Sequence, residues 1–217
     1  MTDTMPVYRA ALKDSSHPMY SIAWDLFRKK FNTEKVAQRH ADRRDEILPF
    51  LYTILDTEEL LLDTSLGEGF APINAVQLLG QWQVVEAIPR LLTYLMDDDD
   101  DEIYIINDRA SYALQQMPPE AIDPVLEFGQ EEAHAMDAMF ILTEIGKGDE
   151  RCFEFICSVF ERQTHEIDII AVAESLAINN LDKAEVYLQE QGRKKRYRRY
   201  RSDFERIIAE VRRGDWE

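Results

Sequence analysis

The sequence predicts an all-α fold, a short stack of helical pairs of the α-α superhelix kind. Three observations predict it. A small residue followed by apolar residues three and four positions on recurs along the chain at nearly regular intervals. Gly and Pro are few, eight of each in 217 residues, which leaves long stretches free to be helical. Strand signals are weak, because Val, Ile and Thr do not alternate with polar residues and the chain has no Asn-Gly or Asp-Gly turn.

The recurring pattern sits at Ala75-Leu78-Leu79, Ala110-Ala113-Leu114, Ala138-Ile141-Leu142 and, more weakly, Ala173-Leu176-Ala177, in steps of 35, 28 and 35 residues. A second apolar run follows each, starting near Ala87, Ala121, Cys152 and Ala184, in steps of 34, 31 and 32. Two helices in every 30 to 40 residues is the period of a helical solenoid. The small residue lets a neighbouring helix come close, and the residues at i+3 and i+4 form the stripe that packs on it. One pair buries only part of its apolar surface, so neighbours must stack.

The connections agree. Gly80 is expected to close one helix as a left-handed cap, with Trp82 packing in the turn that follows. Met117-Pro118-Pro119-Glu120 is expected to stop one helix and start the next. Asp149 is placed to cap the run from Glu150. Upstream, Ile47-Leu48-Pro49-Phe50-Leu51 echoes Ala87-Ile88-Pro89-Arg90-Leu91 and implies an earlier pair whose first helix includes residues 20–31. The expected organisation is a degenerate N-terminal pair over 1–43, a repeat core over 44–192 and a basic capping helix over 193–217.

At "INAVQLLGQWQVVEAIPRLLTYL", "DRASYALQQMPPEAIDPVLEF" and "DAMFILTEIGKGDERCFEFI" the chain resembles the HEAT-like repeats found in phycobilin lyases and related bacterial proteins. Residues 44–92 also resemble an uncharacterised bacterial HEAT-like family. The likeness covers about residues 44–190. It implies a curved array used mainly for protein–protein contact, with enzymes as a minority. Deoxyhypusine hydroxylase is similar in repeat length, and it binds iron through His-Glu pairs near the start of the first helices. The matching positions here hold Ile73-Asn74, Asp108-Arg109 and Met136-Asp137, so the resemblance carries over no iron site. HEAT-like DNA glycosylases use a basic groove, whereas the repeat region here is acidic.

The chain carries 42 acidic and 25 basic side chains, a net charge of −17, which repels nucleic acid and anionic lipid over most of its surface. Aligned on Ala87, Ala121, Cys152 and Ala184, the second helices would present Glu86, Arg90, Glu120, Asp123, Glu127, Glu154 and Glu161 near a concave face. That face suits a protein or peptide partner of basic character. A lyase-like or cofactor-handling site in the same groove is the enzymatic alternative. The run Asp97–Glu102 reads as a solvated loop, since calcium loops space their carboxylates and add a Gly.

The charge is unevenly divided. Arg193, Lys194, Lys195, Arg196, Tyr197, Arg198, Arg199, Tyr200 and Arg201 hold seven cations in nine residues, and residues 193–217 hold 10 basic and 5 acidic side chains. Basic residues interleaved with Tyr suit phosphates and bases. They equally suit an acidic body, within the chain or in a second copy as a homo-oligomer, and that electrostatic role is the preferred expectation over nucleic acid. Phe204, Ile207, Ile208 and Val211 have helical spacing.

The remaining chemistry is sparse. Cys152 and Cys157 stand about 140° apart on a helix, a poor geometry for a disulfide, and read as small buried apolar side chains in a reducing compartment. His17, His40, His134 and His165 read as surface or turn residues, and neither a metal nor a cofactor is called for. With no secretory signal over 1–10 and no membrane-spanning apolar run, the expected location is cytoplasmic.

Overall fold

The computed structural model describes residues 6–62, 64–96 and 104–215. They form thirteen α-helices joined by turns and short 3-10 segments, with no strand among the described residues. The fold is all-α. The acidic run Asp97–Glu102 lies outside the described residues. The helices group into two compact units, Met1–Gln116 and Met117–Glu217.

In the first unit the helices are α1 (Val7–Lys13), α2 (Tyr20–Leu26), α3 (Thr33–Arg39), α4 (Arg44–Leu55), α5 (Phe70–Gln81), α6 (Ile88–Thr93) and α7 (Tyr104–Leu114). α5 is its centre and packs on α2, α3, α4 and α7. Ala71, Ala75, Val76, Leu78 and Leu79 are wholly buried, as the small-then-apolar pattern requires. Trp82 is a packing residue, as expected. It is buried, and its indole N–H donates to the Ala37 carbonyl at 3.3 Å.

Two local expectations need correction in this unit. Gly80 is not a left-handed cap but lies inside α5, and the positive φ of the turn belongs to Gln83 at 51°. Gly80 is there because α7 comes close: a Cβ on it would meet Ala113 at 2.7 Å. Nor is there one helix over residues 20–31. α2 stops at Leu26, and α3 restarts where the Asn32 side chain accepts from the Lys35 amide at 2.8 Å. Arg28-Lys29-Lys30, three adjacent like charges, fills the break. The buried Asn74 amide of α5 fixes that break, donating to the carbonyls of Leu26 at 2.7 Å and Arg28 at 3.0 Å. These are carbonyls that the end of α2 leaves without helical partners.

The second unit holds α8 (Ile122–Phe128), α9 (Ala135–Ile145), α10 (Glu150–Arg162), α11 (Glu166–Asn179), α12 (Leu181–Arg193) and α13 (Arg201–Arg213). α9 packs on α8, α10 and α11, and α11 packs on α9, α10, α12 and α13. Thus α11 lies between α9 and α13. Ala138, Cys152, Ala173 and Ala184, the small residues of the aligned pattern, are all wholly buried. Asp149 caps α10 as expected, accepting from the Arg151 amide at 2.9 Å, with Gly148 at φ 82° making the turn before it. Asn179 repeats the device of Asn74, donating to Gly146 O at 2.8 Å and so pinning the α9–α10 turn to α11.

The basic stretch 193–201 is not one helix. α12 ends at Arg193, a turn and a 3-10 segment (Arg198–Tyr200) follow, and α13 begins at Arg201. Tyr197 and Tyr200 turn inward here, against Phe160 and Phe204, and drag the chain around a corner. Phe204, Ile207 and Ile208 of α13 are buried, in line with their spacing.

Candidate functional site

Of the seven residues aligned on the second helices, five belong to the second unit. α10 is strongly two-faced. Cys152, Phe153, Phe155, Ile156, Val159 and Phe160 point inward, and Glu154 and Glu161 are exposed, seven residues apart on the outer face. On α8, Ile122 and Val125 are buried while Asp123 and Glu127 are exposed. Glu120 is exposed in the 3-10 turn Pro119–Ala121 that leads into α8. α8 and α10 frame an open groove of about 590 Å³, with Leu126 and Phe155 as apolar lining and Glu154 and Glu161 at its edge.

Arg151 and Arg162 also line this groove, and the sequence alignment did not bring them in. Arg151 is already matched by acid. It donates to Asp123 at 2.6 Å and to Asp149 at 2.8 Å. Those two carboxylates hold the guanidinium charged, and the same pairing draws the Asp149 carboxyl below the ordinary range. Arg162 is spent partly on its own helix, donating to the Ser158 carbonyl at 3.2 Å. The charged lining of the groove is Glu154 and Glu161 with Arg151 and Arg162; the pairing of Arg151 with Asp123 and Asp149 leaves the two glutamates against Arg162.

Glu86 and Arg90 lie in the first unit. Glu86 is exposed in the 3-10 turn Val85–Ala87. Arg90 is engaged in structure: it pairs with Asp56 at 3.2 Å and lies 4.5 Å above the Tyr52 ring.

Arg196 of the basic segment folds back on α10. Arg196 donates to the carbonyls of Glu161 at 3.0 Å and Gln163 at 2.5 Å, at the C-terminal end of α10. A guanidinium satisfies free carbonyls and the negative end of the helix dipole together. Tyr197 and Tyr200 are each 3% exposed, so neither ring is presented for stacking on a base. Arg193, Lys194, Lys195, Arg198 and Arg199 remain at the surface.

Two histidines depart from the surface reading. His40 is buried beside Asp25 at 3.3 Å. His134 is buried with its ring stacked on Phe128 at 4.5 Å. Both occupy tight corners where a helix follows at once, a tertiary fact that spacing does not carry. One His-Glu pair does occur, His165-Glu166 at the start of α11, away from the matching repeat positions. Both of its side chains are exposed. Among the described residues, no group of three His, Cys, Asp or Glu side chains is placed to hold a metal ion.

Cys152 is buried and Cys157 half-buried, both unpaired thiols. Burial pushes each up to about 11. No helix among the described residues is long and apolar enough to cross a membrane. No known protein family, curated protein or solved structure matches the chain.

Proposed function

We propose that the protein is a HEAT-like interaction module that binds a basic amphipathic segment of a partner protein in the groove between α8 and α10. The observation that carries this reading is the pairing of an apolar lining, Leu126 and Phe155, with the exposed carboxylates Glu154 and Glu161 seven residues apart along one helix face, Glu161 also accepting from the Tyr187 hydroxyl at 3.4 Å. An amphipathic helix laid in such a groove offers apolar anchors to its floor and cations to its edge. Arg151 does not oppose this, because Asp123 and Asp149 already neutralise it.

The test uses the full chain and a labelled synthetic peptide of about 16 residues, with Leu at i, i+3, i+4 and i+7 and Lys on the other face. The reading expects saturable binding that weakens at least tenfold, about 1.4 kcal/mol, in the double variant Glu154→Lys/Glu161→Lys. Both positions are exposed, so circular dichroism should show the variant folded. Binding that is unchanged by the double variant would dispose of the α8–α10 groove as the site.

A further inference from the structure

The first unit carries a second groove, of opposite charge. It is about 720 Å³ in volume, within the range that buries a few anchor side chains, and lies between α1, α2 and the segment 64–67. Leu12, Trp24, Phe27 and Leu66 give it apolar walls, and Arg9, Lys13 and Arg28 surround them. Trp24 is 46% exposed and Leu66 48% exposed, which is unusual for two large apolar residues facing one depression.

The cations here are only lightly committed. Arg9 meets Glu59 at 3.5 Å with both side chains half exposed, a pairing of little strength. Arg28 lies 4.8 Å over the Trp24 ring, and neither it nor Lys13 forms an ion pair among the described residues. Of the nearby acids, Asp25 holds Arg39 at 2.5 Å and His40 at 3.3 Å, Asp14 accepts from the Ser16 amide and hydroxyl, and Glu68 is exposed next to Gly67. Lys29 and Lys30 add to the same sign. A chain of net charge −17 thus keeps a local positive field around exposed aromatic surface.

We propose that this groove docks an acidic amphipathic segment of another protein. Its apolar side chains sit on Trp24, Phe27, Leu12 and Leu66, and its carboxylates meet Arg9, Lys13 and Arg28. The concave shape favours a peptide over a lipid surface, which calls for apolar side chains that project. The proposal stands apart from the α8–α10 reading, because it rests on other residues and on the opposite charge.

The experiment measures anisotropy of a labelled peptide of about 16 residues, with Leu and Phe at i, i+3, i+4 and i+7 and Glu elsewhere, against a matched Lys peptide. The proteins are the full chain, Lys13→Glu/Arg28→Glu, Leu66→Ser and Glu154→Lys/Glu161→Lys. Circular dichroism melts check that each is folded, and Leu66→Ser, at an exposed position, serves if the charge reversal unfolds. The groove variants should each weaken the Glu peptide at least tenfold, and Glu154→Lys/Glu161→Lys should leave it bound. No binding of the Glu peptide would overturn the proposal, as would binding untouched by the groove variants. Tighter binding to phosphatidylglycerol vesicles than to the peptide would overturn it in favour of a membrane. A dimer that is lost in Lys13→Glu/Arg28→Glu would overturn it in favour of a second copy of the chain.

Discussion

Gly80 of α5 and Ala113 of α7 are in such close contact that a Cβ built on Gly80 would stand 2.7 Å from both the Cα and the Cβ of Ala113. The obstacle is partly backbone, so a side chain cannot simply swing aside. Gly80→Ala gains helix propensity of about 1 kcal/mol, yet it forces α5 and α7 apart, and overpacking costs about 1–3 kcal/mol with the lost contacts added. The variant should therefore be less stable than the parent in urea unfolding, despite replacing a mid-helix glycine. A stabilised Gly80→Ala would contradict the packing.

Asn74 ties α5 to the frayed end of α2 through two carbonyls. Asn74→Leu keeps the branched heavy-atom shape and removes both donors. The two carbonyls then lose their partners in a buried setting, at a cost of about 2 kcal/mol or more. Urea unfolding should show that loss, and amide exchange should rise in Tyr20–Leu26 ahead of the rest of the unit.

Asp149 caps α10 and holds Arg151. Asp149→Ala should cost about 1 kcal/mol at neutral pH, the usual value of an N-cap. The carboxyl sits below its ordinary range because Arg151 hydrogen-bonds to it. A depressed folded value contributes stability above the unfolded value, near 4, and loses it as pH falls through the folded value. The gap between parent and Asp149→Ala should hold from pH 7 to pH 5 and narrow below about pH 4.

The buried thiols set an alkaline limit. Cys152 and Cys157 are pushed up to about 11 and Tyr94 to about 12, each first by burial. The unfolded chain then releases protons at lower pH than the folded one. Stability from these groups is full below about pH 8.5 and declines as pH rises toward 11. Melting temperature should fall steadily from pH 9 to pH 11. At pH 8 neither thiol is ionised enough to react quickly, so a disulfide reagent should label both cysteines far faster in urea than in buffer.

The helices of the repeat were legible because their signal is local. Ala75, Ala138, Ala173 and their i+3 and i+4 partners are buried because one helix face must be buried, and that face shows in the spacing. Asp149 was legible for the same reason, a short polar residue directly before an apolar run. Gly80 was not. A glycine near a helix end reads as a cap unless the approach of a second helix, 33 residues later at Ala113, is known. The break between α2 and α3 escaped because Asn74, far along the chain, is what holds it open. The candidate groove was half legible: Glu154 and Glu161 followed from alignment, whereas Arg151 and Leu126 meet there only through the packing of α8 and α10 beside one another. The groove at Trp24 left a faint trace, basic residues around an isolated tryptophan, in a region that carries no repeat.

The central claim is that α8 and α10 form the docking groove, and hydrogen exchange read by mass spectrometry locates a bound peptide directly. The full chain is followed with and without a saturating amount of the Lys amphipathic peptide. The account predicts slowed exchange in Ile122–Phe128 and Glu150–Arg162, abolished in Glu154→Lys/Glu161→Lys. Protection confined to other helices, or the same protection in the double variant, would contradict it.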